Sequence, residues 1–209
     1  MQLKPKALFS TLGMLALIFA LAITASAQEG ADQAQKSVSI KNFGQMDERF
    51  YRGAQPKEEE FKELAALGIR TVIDLRADPK DYEKAIVESL GMRYVNIPMV
   101  EKKYPRPEWV AAFMKTVDDP STGKFFVHCA GGRHRTGSMG AVYRFENYGW
   151  GYEQVYAEMK QFDFYTRWGH GDFKTFVQDY ARQLQTRHAS PATPPAAAHA
   201  GSAEAVFAG

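Results

Sequence analysis

Cysteine is almost missing from this 209-residue chain: it has one, Cys129. No internal disulfide can form, although secreted proteins ordinarily carry cysteines in pairs or none. Net charge is also scarce. The formal value is +2, and it falls to zero once Lys4 and Lys6 of the first 27 residues are set aside. A chain without net basicity has no electrostatic footprint for nucleic acid, so no nucleic-acid partner is expected. No cysteine follows the N-terminal apolar run, which speaks against a lipid-modified N-terminus. Acids are missing from Pro120 to Phe145, where Lys124, Arg133, Arg135 and Arg144 all occur. No aspartate lies between Asp81 and Asp118.

The two ends differ in character from the middle. Residues 1–27 begin with Lys4 and Lys6, continue through an apolar run and close on Ala25-Ser26-Ala27. This is the order of a cleaved secretory signal, so the protein is expected to be exported, periplasmic or secreted. The alternative is an uncleaved membrane anchor over residues 7–23, nearly long enough to cross a bilayer. After cleavage no stable membrane association is expected. Residues 28–45 read as a linker. Residues 188–209 are Ala/Pro-rich without an apolar face and read as a disordered tail. One domain remains, residues 46–187, long enough to bury a core.

Within it, "PKEEEFKELAALG" and "DPKDYEKAIVESLG" each place a helical pattern, closed by Gly68 or Gly91, ahead of a short strand, "TVIDL" or "YVNIP". A third helix follows Pro107 with Trp109, Phe113 and Val117 on one face. "KFFVHC" is continuously apolar, which suits a strand covered on both sides. "RFYRG" reads as a short edge strand. Three more helices follow Cys129: Thr136 to Tyr148, "YEQVYAEMKQF", and one N-capped by Asp172. Strands alternating with helices predict an α/β fold, a mostly parallel sheet of four to five strands flanked by helices.

The chemistry concentrates in "HCAGGRHRTG". A strand feeding a glycine-rich loop and then a helix turns backbone N–H groups inward and adds the positive end of the helix dipole. Ala130, Gly131, Gly132, Arg133, His134 and Arg135 can thus cradle a tetrahedral oxyanion, with Gly131 and Gly132 supplying positive φ. The nucleotide P-loop is excluded, because no Lys-Ser/Thr follows these glycines. One thiol without a second cysteine or an acidic cluster is poor metal-ligand material, so no metal is expected. Cys129 sits where the donors converge, which favours its thiolate. Arg135 can clamp two phosphate oxygens with its planar fork. Thr136 can hydrogen-bond the sulfur, and His128 can buttress the loop. The expected product of attack is a phosphocysteine, later cleaved by water.

His128-Cys129, five residues, then Arg135-Thr136-Gly137 resembles the signature loop of the cysteine-based protein-tyrosine phosphatase superfamily. "ERFYRGAQP", "LGIRTVIDLR" and "YVNIPM" are similar to the matching stretches of its compact dual-specificity group, and "HCAGGRHRTG" with "NFGQMDERFYRGAQP" is most similar to its plant and fungal atypical members, some of which act on inositol pyrophosphates. The resemblance implies a dual-specificity phosphatase-like fold, a two-step mechanism and no cofactor. The substrate it implies is a phosphorylated protein or a small-molecule phosphate ester.

Such an enzyme also needs a general acid, and the superfamily usually places an aspartate about thirty residues before the cysteine. Here Glu101 stands at that distance and is the candidate, with Asp163 and His170 as rivals. Asp118 and Asp119 read as turn and cap residues. Arg133 and His134, with Lys102, Lys103 and Arg106 on the facing loop, are candidates for further phosphate contacts. Arg52 reads as a rim residue, Lys124 and Arg144 as solvated element ends, and Asp74 with Arg76 as structural. Inositol polyphosphates or pyrophosphates are the alternative substrates, and a silent phosphate-binding module is the non-enzymatic alternative.

Overall fold

The computed structural model describes residues 38–189. The expected signal, the alternative anchor and all but the start of the expected tail lie outside the described residues. Five strands form one sheet: β1 (Gly44–Gln45), β2 (Phe50–Ala54), β3 (Thr71–Asp74), β4 (Arg93–Asn96) and β5 (Phe125–Cys129). Their order across the sheet is β1-β2-β5-β3-β4. β2, β5, β3 and β4 run parallel, and β1 pairs antiparallel with β2. The described residues also form six α-helices: α1 (Phe61–Ala66), α2 (Asp81–Ser89), α3 (Pro107–Asp118), α4 (His134–Tyr148), α5 (Tyr152–Gln161) and α6 (Gly171–Ala189). Among the described residues no helix is long and apolar enough to cross a membrane.

β5 is central, and all five of its residues are buried, as its unbroken apolarity predicts. The alternation of a strand then decides what each residue faces. Phe125, Val127 and Cys129 join Phe113 of α3, Met139 and Val142 of α4, Val155 of α5 and Phe173 of α6 in one core. Phe126 points the other way, to Phe61 and Leu64 of α1 and Val87 of α2. His128 stacks on Phe126, ring centroids 5.7 Å apart. The nucleophile candidate and its preceding histidine therefore lie on opposite faces of the sheet. Each fully buried phenylalanine contributes about 1.5–3 kcal/mol relative to exposure.

Three expectations need correction. β2 is not an edge strand: β1 covers it, and all its residues are buried. Of the expected linker 28–45, the described residues 38–45 contribute to the fold: Ile40 is buried, Phe43 packs on the second core, and Gly44–Gln45 are β1. An apolar residue here and there in a polar stretch carries no periodicity and so no strand signal. Asp172 lies in the first turn of α6 rather than before it. Gly68 and Gly91 end α1 and α2 as expected, with φ of 78° and 76°, and Asp119 caps a turn by accepting from the Ser121 N–H at 2.9 Å.

Candidate active site

β5 delivers Cys129 to a loop of four residues, and α4 begins at His134. The loop closes against β2. Gly132 has φ 65° and lies so near β2 that a Cβ there would sit 2.4 Å from the Gly53 carbonyl carbon and 2.7 Å from the Ala54 nitrogen. Only glycine fits both the left-handed backbone and the contact. Gly131 is different: its φ is not positive, and a Cβ would meet nothing nearer than 3.5 Å. The expectation that both glycines supply positive φ holds for Gly132 alone.

Two side chains fix the loop's carbonyls. Asn42 Nδ2 donates toward Gly131 O (3.2 Å), Gly132 O (3.1 Å) and Phe162 O (3.1 Å). Arg52 Nη2 donates to Gly132 O at 2.7 Å. Drawing carbonyls outward leaves the N–H groups of the same peptides facing in, which is what an anion cradle needs. Arg52 is not a rim residue. It is 1% exposed, with its guanidinium 4.0 Å from the Phe162 ring centroid. Burial pulls its pKa down to about 10, while the Cys129 and Glu158 charges oppose that fall. Nothing in the sequence flagged Asn42, which stood in the supposed linker.

Cys129 is 3% exposed and borders a cavity of about 480 Å³. Burial pushes its thiol up. The Arg135 charge, the Thr136 hydroxyl and the N–H groups of Thr136 and Gly131 pull the other way and win, leaving the thiol below its ordinary value. Thr136 Oγ1 is buried without an oxygen or nitrogen partner, so the sulfur is its natural acceptor. Arg135 Nη1 donates to Met99 O at 3.2 Å, which anchors the guanidinium in the wall of the same cavity. Ala130, Gly131, Arg133 and His134 line it too.

Behind the loop, His128 Nε2 lies 2.6 Å from Glu83 Oε1. Burial opposes the imidazolium, but Glu83 outweighs it and raises the pKa. Glu83 is correspondingly lowered, against its own burial, by His128, Gln55 and Arg76. His128 thus faces a partner on α2 that sequence reasoning missed. Asp74, Glu83 and His128 converge like metal ligands. Arg76 already pairs with Asp74 (3.2 Å) and Glu83 (3.7 Å), so the two carboxylates are balanced by two cations. This bears out the structural reading of Asp74 and Arg76.

The acid candidates separate. Glu101 and His170 line the cavity with Cys129, whereas Asp163 lies in the neighbouring groove, 3.5 Å from Arg133 Nη2. Lys102 and Arg133 face the cavity, joined by Lys41, which the sequence reading overlooked because it too lay in the supposed linker. Lys103 and Arg106 do not line it; Arg106 stacks over Trp109 at 5.1 Å. His134 is no side-chain phosphate ligand. Burial and the His170 charge pull its pKa down to about 4, and its Nε2 donates to Tyr165 O at 3.0 Å. Arg144 is buried rather than solvated, bonded to Glu158 (2.6 Å) and Met46 O (2.6 Å).

Comparison with known proteins agrees with this geometry. Residues 27–170 match the family described as DSP-PTPase phosphatase fused to NAD+ kinase. NAD kinase 2, chloroplastic, of Arabidopsis thaliana is 34% identical over 105 residues, 47% of this chain but 10% of that protein. The chain thus spans about a tenth of the first curated relative it matches. The probable tyrosine-protein phosphatase DG1060 of Dictyostelium discoideum is 27% identical over 58% of this chain and 75% of its own length. Among solved structures, the core catalytic domain of the PP-IP phosphatase SIW14 from S. cerevisiae superposes with a TM-score of 0.59 at 21% identity, covering 72% of this chain and 91% of that one. A sheet order, a cysteine loop and a family match that point the same way make this chain a member of the DSP-PTPase family, the cysteine-based phosphatases of dual-specificity type.

Proposed function

We propose that the protein hydrolyses phosphate monoesters of the phosphotyrosine and dual-specificity type through a phosphocysteine. One observation carries the reading: a thiol held toward its anion shares a cavity with the Arg135 guanidinium and the loop N–H groups. The phosphate dianion seats on the N–H groups of residues 130–135 and on Arg135. The Cys129 sulfur attacks phosphorus, the phosphorus–oxygen bond to the leaving group breaks, and that oxygen takes a proton from the side of the cavity lined by Glu101 and His170. Water then attacks phosphorus, returns a proton to the same side and releases the thiolate, which Thr136 Oγ1 receives by hydrogen bond.

Tyr165, Trp168 and Phe173 flank the cavity and suit an aromatic ester, and the Dictyostelium relative is named as a tyrosine-protein phosphatase. A second reading, an inositol polyphosphate or pyrophosphate, is favoured by Lys41, Lys102 and Arg133 around a cavity with Glu101 as its carboxylate; the SIW14 structure is described as a PP-IP phosphatase. Export, with periplasmic or secreted substrates, belongs to the same proposal and rests on residues 1–27 of the sequence. N-terminal sequencing of the mature protein tests it, with a start at Gln28 expected.

The enzymatic reading is tested by assaying the full chain and Cys129→Ser on an aryl phosphate, phosphotyrosine and phosphoserine peptides and an inositol phosphate panel. Turnover abolished by Cys129→Ser supports it. Preference for inositol phosphates, lost in Arg133→Ala, selects the second reading. Phosphate binding without turnover of any ester would leave a silent binding module.

A further inference from the structure

The superfamily's usual acid position holds no aspartate, and the cavity offers two groups in its place. They are not equivalent. Glu101 sits on the loop after β4 with its side chain 61% exposed. His170 is 8% exposed at the side chain and is fixed on several sides. Its ring stacks on His134 at 3.7 Å between centroids, with Tyr165 edge-on at 5.2 Å and Phe173 at 6.4 Å. Its Nδ1 lies 3.0 Å from Arg167 O. A carbonyl only accepts, so Nδ1 carries the hydrogen and Nε2 is the free nitrogen. Nε2 lies 3.8 Å from Glu101 Oε1.

We infer that His170 Nε2 is the proton donor to the leaving oxygen, and that Glu101 is the carboxylate that keeps His170 aligned. This deepens the phosphocysteine reading and rests on it. The arrangement gives an imidazole fixed by its Nδ1 bond and its stacked ring, with Nε2 left to meet the leaving oxygen, where Glu101 is an exposed side chain on a loop. The neighbouring histidine does not compete: burial pulls the pKa of His134 down to about 4, so it stays neutral.

Charged groups face His170 from every element packed against it. From the loop after β4 come Glu101, which favours the imidazolium, and Lys102, whose stem packs over Gly169 and opposes it. From the cysteine loop and α4 come Arg133, His134 and Arg135, opposed to it, and the Cys129 thiolate, in favour. From its own segment come Tyr165, neutral, and Arg167, whose guanidinium stacks over Trp168 at 4.3 Å; Asp172 follows in the first turn of α6. A substrate dianion seated on Arg135 offsets the cations. In the first step the Nε2–H bond breaks as the leaving oxygen gains its hydrogen. In the second, Nε2 takes a proton from the attacking water, and the cycle balances.

Aryl and alkyl phosphates of graded leaving-group basicity give the test, on the full chain, with His170→Asn and Glu101→Gln. Asparagine keeps a donor for Arg167 O and removes Nε2. The expected loss in His170→Asn is about 10²–10⁴-fold in kcat for alkyl phosphates and less than about 5-fold for dinitrophenyl phosphate. Glu101→Gln should cost less, with the same dependence on leaving group. An equal loss on all leaving groups in His170→Asn, or a larger leaving-group-dependent loss in Glu101→Gln, would overturn the assignment. Nitrogen-15 NMR of the wild-type imidazoles reads the tautomer without turnover: neutral His170 as Nε2–H overturns it, and Nδ1–H supports it. A wild type inert even to dinitrophenyl phosphate would instead overturn the phosphatase reading, with the tautomer still deciding the geometry of His170.

Discussion

Replacing Asn42 separates loop architecture from chemistry, because Asn42 holds the loop from behind and does not itself line the cavity. Its amide has two hydrogens and faces three carbonyls, those of Gly131, Gly132 and Phe162. Two net hydrogen bonds at about 0.5–1.5 kcal/mol each give about 1–3 kcal/mol of stability. Asn42 also has φ 56°, a left-handed backbone that alanine adopts at a cost of roughly 1–2 kcal/mol. Asn42→Gly removes only the hydrogen bonds, and Asn42→Ala adds the backbone penalty. Urea unfolding followed by fluorescence should therefore rank wild type above Asn42→Gly above Asn42→Ala, with the glycine variant about 1–3 kcal/mol down. Both variants should lose kcat/KM on every phosphate ester by a similar factor, because the released carbonyls no longer hold the N–H groups inward. Glycine and alanine variants of equal stability, or full activity in Asn42→Gly, would refute the claim that this side chain sets the cradle.

Three further outcomes are expected. Cys129 should be alkylated by iodoacetamide well below the pH at which an ordinary thiol reacts, and Arg135→Ala should move that profile upward, since the guanidinium is the strongest group lowering the thiol; an unmoved profile would leave the thiolate without its explanation. Gly132→Ala should abolish soluble active protein while Gly131→Ala retains its fold, measured by thermal melting, because only the former drives a Cβ into the β2 backbone. Glu83→Gln strands the buried His128 and should cost about 3–5 kcal/mol. In the wild type, the stability from lowered Glu83 is present above its unfolded pKa and lost as pH falls through the folded one. That from raised His128 is present below about 6.5 and lost as pH rises through its folded value. Glu83→Gln should flatten both limbs of the stability–pH curve; limbs unchanged by the substitution would refute the pairing.

The cysteine loop was legible because its chemistry is contiguous: Cys129, the cradle and Arg135 lie within seven consecutive positions, and a strand–loop–helix places them without help from the rest of the chain. The helices were legible from Phe61, Leu64, Trp109, Phe113 and Val117, whose spacing is that of a buried face. The supports were not. Asn42 and Arg52 reach the loop from 89 and 80 residues away, and Glu83 reaches His128 from a helix whose exposed neighbours, Lys84 and Glu88, make the whole stretch look solvated. A polar residue buried by tertiary contact has the same local sequence as one in water. Arg144 illustrates this: its burial comes from Trp150, Tyr148 and Glu158, which only the turn after α4 brings together.

The central position of β5 has a consequence for how the protein comes into being. Phe125 pairs with Phe50 on one side and Thr71 on the other, so the middle strand of the sheet is the last of the five to leave the ribosome. Its two neighbours must wait, unjoined, until it slots between them. The reactive sulfur at its end has no cradle before that moment, and a half-made chain therefore carries a plain thiol rather than an armed one.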